Sequence, residues 1–248
     1  SQIIKELKKK FLIRDDIFFV FSPERVMPGI NYYDSIVNSH RVFSSNSNLE
    51  ISKKVKKLFS IIFNTKKFEV TEFKKYEEAE CTKILENSYR AINIALIEEW
   101  TIFAEKFGID LFSVIKAIKY RDTHSNIMKP GLGVGGYCLT KDGLLASWAR
   151  QNLIGKRQPL SQSESAININ DQMPRFSFEY FQNIYPKLKG ARILFLGVSY
   201  RGDVGDTRYS PVEKLFNYFS AVGAIVTCHD PYVKYWDEKS LEIEQDLN

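Results

Sequence analysis

The sequence predicts an α/β chain, with a central all-helical domain built on one long helix and then part of an open α/β sheet. Three observations carry this. The run from Tyr76 to Phe107 holds no Gly or Pro and is apolar on nearly every face after Ala91, so a helix there needs enclosure by other helices or a partner subunit. After Gly190 the pattern changes to a β run at 191–196, a helical stretch at 211–222 and a second β run at 224–228. Between these regions lies Pro130-Gly-Leu-Gly-Val-Gly-Gly136, a loop whose bare backbone can approach something closely.

Taken in order, residues 1–10 read as a basic amphipathic helix, and Ile17–Phe21 as a short buried strand stopped by Ser22-Pro23. Residues 24–48, with Pro28-Gly29 and Asn/Ser clusters, suit an irregular connection. Helical periodicity returns over 49–63, followed by a β-like segment at 68–73. Gly108 is placed to end the long helix, and Asp110 to cap a helix over 111–119. Thr140 is a candidate N-cap for a helix reaching about Asn152. Pro174 must kink a helical stretch at 161–187 or start a new helix within it. The expected domains are 1–48, 49–187 and 188–248, with too few strands at the end to close the last sheet.

Composition narrows the class. The 248 residues are 44% apolar and 26% charged, values that exclude disordered, collagenous and low-complexity chains. A net charge of +5, with Lys and Arg spread along the chain, points away from nucleic acid, and no apolar run is long enough to span a membrane. Cys81, Cys138 and Cys228 form no C-x-x-C pair, and His40, His124 and His229 are scattered. That pattern suits a reducing, cytoplasmic setting rather than a disulfide framework or zinc site.

Three features can carry chemistry. Cys138 ends the glycine-rich loop just before a helix, with Asp142 one turn later; helix N-terminal amides favour a thiolate, so Cys138 reads either as a nucleophile or as a small packed cysteine. Lys83 and Asn87, spaced i, i+4, share one helix face; they read either as groups that bind an alcohol or carbonyl oxygen or as a solvated polar face. Glu24, directly after an apolar run, reads as a functional acid or a surface loop acid.

Together these residues resemble the UDP-glucose/GDP-mannose 6-dehydrogenase family of nucleotide-sugar dehydrogenases. The matching segments are Phe21-Ser22-Pro23-Glu24-Arg25-Val26 with Pro28-Gly29, Glu80-x-x-Lys83-x-x-x-Asn87 running into Asn93-Ile94-Ala95, and the loop from Gly131 to Asp142. Further matches are Ile169 to Pro174, Gly197-x-x-Tyr200-Arg201, Asp206-Thr207-Arg208-x-Ser210-Pro211 and Asp230-Pro231-Tyr232. The resemblance implies a Rossmann-like C-terminal domain and a four-electron oxidation. A sugar C6 alcohol loses a hydride to NAD, Cys138 adds to the aldehyde, the thiohemiacetal loses a second hydride, and water hydrolyses the thioester. Lys83 and Asn87 are implied to hold the developing oxyanion, and Asp142 and Glu24 to orient water and move protons. Lys129, Gly131 and Gly135 are implied to line the sugar site, Tyr200 and Arg201 to contact the nucleotide, Lys141 to reach the cofactor, and Arg208 to reach the cofactor phosphate of a neighbouring subunit. Helix 76–107 resembles the family's dimer-forming helix, which implies a homodimer.

Departures qualify the match. No G-x-G-x-x-G follows a strand near Ser1, so most of the family's first NAD-binding domain is expected to be missing, and the last domain to be cut short after Trp236. Arg201 stands where many members have Lys, Gly143 where a proline is common, and Pro28 where the UDP-glucose branch has an acid. Tyr137 before Cys138 resembles branches acting on N-acetylated or other sugars. A chain so built also reads as a non-catalytic dimerisation and nucleotide-binding module. Relatives of the 6-phosphogluconate and 3-hydroxyacid dehydrogenases share a Lys-x-x-x-Asn helix but need no cysteine.

Overall fold

A computed structural model describes residues 6–7, 9–10, 17–27, 29–153, 155 and 159–246. The chain divides into two compact units, Ser1–Glu86 and Asn87–Asn248. Residues 6, 7, 9 and 10 of the expected N-terminal helix are helical, and the rest of that stretch lies outside the described residues.

The first unit holds α1 (Tyr32–Val37), β1 (Arg41–Ser44), α2 (Leu49–Ile62) and β2 (Val70–Phe73). β1 and β2 pair in parallel from Arg41↔Val70 to Ser44↔Phe73, with α2 as the crossover. Asn48 caps α2 by accepting from the Ile51 amide. This small βαβ unit corrects the expectation of an irregular 24–48. A four-residue strand such as Arg41–Ser44 carries too little periodicity to be read locally, and β2 supplies its ladder. The Ile17–Phe21 strand is corrected as well. Only Phe21 pairs, in an antiparallel bridge to Ser44, while Ile17, Phe18 and Val20 stay 40–52% exposed. An apolar run becomes a strand only where a neighbouring ladder takes up its amides.

The long helix α3 spans Tyr76–Phe107, as the absence of Gly and Pro predicts, and runs from the first unit into the second. Gly108 follows it at φ +63°, the left-handed stop that glycine adopts freely. Asp110 caps α4 (Leu111–Ile118) by accepting from the Ser113 amide. Ile97, Ala104, Leu111 and Ile115 form the apolar centre between these two helices. Next come α5 (Asp142–Leu153) and α6 (Ser161–Ile184), packed on each other. Pro174 is buried within α6, which continues through it, so no new helix starts there.

The C-terminal layer consists of β3 (Arg192–Leu196), α7 (Pro211–Ala221) and β4 (Ile225–His229), with β3 and β4 parallel. Pro211 opens α7 behind its Ser210 cap, where a missing N–H costs nothing. A short antiparallel pair, β5 (Tyr235–Trp236) and β6 (Leu241–Glu242), seats Trp236 in the core with Phe195, Phe219 and Cys228. α6 packs along α7, so one helix borders both the helical part and the sheet.

Candidate active site

The second unit gathers the glycine loop, the start of α5 and the Tyr200–Pro211 loop in one place. Cys138 is an exposed free thiol in the turn that leads into α5. Its carbonyl accepts from the Lys141 amide at 3.3 Å and the Asp142 amide at 3.0 Å. Thr140 does not cap the helix. Its hydroxyl donates backwards to the carbonyls of Gly136 (2.8 Å) and Tyr137 (3.3 Å), and α5 begins at Asp142. A threonine hydroxyl is donor as well as acceptor, and here the nearer unsatisfied groups are carbonyls.

Asp142 is the centre of the polar cluster. Its buried carboxylate accepts from Asn87 Nδ2 at 2.7 Å and pairs with Lys141 Nζ at 3.0 Å. That hydrogen bond to Asp142 raises the Lys141 ammonium above its ordinary pKa, with burial opposing and the Asp142, Cys138 and Tyr137 charges adding. Lys141 Nζ also lies 4.8 Å from the Tyr137 ring centre. Gly143 lets α5 start this close to its neighbours, since a Cβ there would stand 3.1 Å from Ser163 Cβ of α6.

The glycines are required by protein packed on protein. A Cβ at Gly133, whose φ is +98°, would fall 2.2 Å from the Asn170 carbonyl oxygen. At Gly135 it would meet Tyr200 Cβ at 2.4 Å and the Tyr209 carbonyl at 2.7 Å. Gly136 donates its amide to the Arg208 carbonyl at 3.1 Å, tying the loop to the segment between β3 and α7. There Arg208 forks onto Asp206 at 2.9 and 2.7 Å. That pairing raises Arg208, with Tyr200 and Cys138 adding to it, and holds the Asp206 carboxyl low. Tyr200 is half-buried, its phenol pushed up by burial first and by Asp206 next; Arg201 is exposed. Asp230, after β4, accepts from the amides of Val198 and Ser199 at 2.9 and 3.2 Å, which shapes the start of the same segment. A cavity of about 340 Å³ lies alongside, between Tyr137, Lys141, Asn170, Asp171, Tyr209 and Lys214.

Of the other residues singled out by sequence, Lys83 is half-buried on α3 one turn before Asn87, and Lys129 and Gly131 are exposed. Glu24 lies in the first unit, 3.1 Å from the buried Arg41 guanidinium. Burial raises its carboxyl, but Arg41 and the Arg25 and Val26 amides outweigh this and leave it below its ordinary value.

One residue of the cluster escaped sequence reading. Glu98 of α3 is 1% exposed beneath the glycine loop. Its Oε1 accepts from the Gly133 amide at 3.3 Å and lies 3.4 Å from where a Cβ on Gly131 would stand. The signal was present: Asn87, Ala91, Ala95 and Glu98 recur at helical spacing, a stripe of small residues that ends in an acid.

Residues 77–172 match the model of the UDP-glucose/GDP-mannose dehydrogenase family, central domain, and residues 194–248 match that family's UDP binding domain. The chain belongs to this family. A UDP-N-acetyl-D-mannosamine dehydrogenase of Methanocaldococcus jannaschii is 33% identical over 92% of this chain and 50% of its own length. A UDP-N-acetyl-D-glucosamine 6-dehydrogenase of Pseudomonas aeruginosa is 30% identical over 90% of this chain and 51% of its own. Among solved structures, an NDP-N-acetyl-D-galactosaminuronic acid dehydrogenase from Methanosarcina mazei superposes with TM-score 0.83 at 26% identity, over 98% of this chain and 52% of that one. The chain spans about half the length of the curated relatives it matches. Cys138, Asn87, Asp142 and Lys141 lie within the central-domain match, and Tyr200, Arg201 and Arg208 within the UDP-binding match.

Proposed function

We propose that this chain carries the nucleophile and nucleotide-sugar site of an enzyme that oxidises the C6 alcohol of a UDP- or GDP-linked sugar to the uronic acid. The observation that supports this best is the Asn87–Asp142–Lys141 cluster at the foot of the turn bearing Cys138. Cys138 adds to the C6 aldehyde carbon, and its carbonyl oxygen becomes anionic. Asn87 keeps one amide hydrogen beyond its bond to Asp142, and with Lys83 it holds that oxyanion. After oxidation to the thioester, Asp142 orients the water that attacks it, and Cys138 leaves as the thiolate. Glu24 serves as a further acid–base group, Lys129, Gly131 and Gly135 border the sugar, and Tyr200 and Arg201 contact the nucleotide. The helical domain extends over 49–187 and the nucleotide-sugar domain over 188–248, in a cytoplasmic homodimer.

NAD is the acceptor that the resemblance implies, and when bound it would supply the hydride acceptor. Among the described residues, Lys141, paired with Asp142, and Arg208, paired with Asp206, are the cations that would face it, and Gly197 and Gly202 leave open backbone in the loop after β3. The chain spans about half the length of its curated relatives, which favours a second reading of the chain by itself, as a dimerisation and nucleotide-sugar-binding module without turnover.

The Cys138→Ser variant tests the mechanism through uronic acid formation from UDP- and GDP-linked sugars. The serine enzyme is expected to form no acid. Acid at wild-type yield would refute covalent catalysis through Cys138.

A further inference from the structure

Two buried oxygens flank Gly133 with no hydrogen-bond partner, Glu98 Oε2 on α3 and Asn170 Oδ1 on α6. Asn170 is oriented by its own Nδ2, which donates to the Ala91 carbonyl of α3 at 3.1 Å, so Oδ1 is its free end. Its backbone carbonyl sits against Gly133, whose amide donates to Glu98 Oε1. With Glu98 ionised, the place holds unpartnered acceptors and an unpaired charge. With Glu98 neutral, the charge is gone and its O–H adds a donor to a place that otherwise holds acceptors.

Among the described residues none is ion-paired to Glu98. The residues one turn away on α3 are Ile94, Ala95, Thr101 and Ile102, and α6 presents Asn170 and Met173 against Gly133. Glu99 adjoins Glu98 on α3, Lys129 before the glycine loop is exposed, and Asp171 beside Asn170 on α6 pairs with Lys214.

We propose that Glu98 is the positioning residue of the loop that carries Cys138, holding Gly133 while its buried carboxyl is neutral and letting the loop open when it ionises, because the buried charge then draws in water. Burial, opposed by the Gly133 and Gly131 amides, pushes its carboxyl from 4.5 up to about 7, so the change falls within a working pH range. The consequence for turnover rests on the proposed function; the grip on the loop does not.

Amide hydrogen exchange of residues 131–136 tests this between pH 6 and 8, each rate divided by that of an unstructured peptide at the same pH. Wild-type protection is expected to fall by about tenfold across a midpoint near pH 7. Glu98→Gln copies the neutral carboxyl, with one acceptor and one donor end, and is expected to keep the low-pH protection throughout. Matching flat profiles for wild type and Glu98→Gln would overturn the proposal, as would full protection in Glu98→Ala. If Glu98→Ala does not fold, the wild-type and glutamine profiles still decide. Alkylation of Cys138, followed on its own peptide, is expected to change with pH in step with loop exchange in the wild type and to lose that step in Glu98→Gln; an unchanged step in Glu98→Gln counts against the proposal. Loop behaviour as expected, together with acid formation by Cys138→Ser, would sink the catalytic reading and leave the positioning role standing.

Discussion

Gly133 and Glu98 show how differently single positions are constrained. At Gly133 a methyl group meets backbone that cannot yield, 2.2 Å away, at a φ of +98°. Gly133→Ala is therefore expected to lower stability by about 2–3 kcal/mol or more. Gly202→Ala, with nothing within 4 Å, should stay within about 0.5 kcal/mol. Urea unfolding of the two variants makes the comparison, and equal losses would contradict the packing account. For Glu98 the sign follows from proton binding. Between pH 4.5 and about 7 the folded protein keeps a proton that the unfolded chain has released, so stability declines as pH rises through that window. The decline attributable to this group is about 3 kcal/mol, and Glu98→Gln should abolish it. Urea midpoints of the two proteins from pH 4.5 to 8 are the measurement; parallel curves would argue that Glu98 does not titrate in this window. Cys138 was legible because glycines, thiol and acid are adjacent in the chain, whereas Glu98 was not, because its partners come from elsewhere.

Among the elements, α3 does the most. One stripe, Asn87, Ala91, Ala95 and Glu98, is polar at its ends and small between them, which admits Asn170 and the glycine loop. Elsewhere on the helix Trp100, Phe103 and Phe107 are 45–68% exposed, with ring centres 5.4 and 4.6 Å apart along the series. Aromatic rings aligned in that way and left half in water suit a second copy of the chain. Phe103→Glu is expected to weaken self-association by about tenfold or more, read by sedimentation equilibrium. An unchanged dissociation constant would remove α3 from the interface. Caps and stops on these elements were readable where the partner is a few residues away: Asp110 caps α4, and Gly108 ends α3. Thr140 misled because a cap residue and a turn residue have the same composition, and the neighbouring carbonyls decided between them.

Across the chain, the two units carry different parts of the expected chemistry, with Glu24 and Lys83 in the first and Cys138, Asn87 and Asp142 in the second. As a binding module, the chain by itself is expected to bind UDP and to show no tight binding of NAD in calorimetry. Tight NAD binding would overturn that reading. The order of elements, the length of α3 and the parallel β3–α7–β4 unit follow from periodicity and from glycine and proline placement, which act over a few residues. So does the candidate thiol, whose neighbours are next to it in the chain. Whether Arg41–Ser44 becomes a strand depended on β2, and whether Ile17–Phe21 does depended on a ladder that reaches only Phe21. The unpartnered Oε2 of Glu98 likewise exists only because α3, α6 and the glycine loop exclude water from one point. Local pattern determined the parts and the thiol; burial and hydrogen-bond partners drawn from distant segments decided which strands pair and which acid is buried, because both depend on what water can no longer reach.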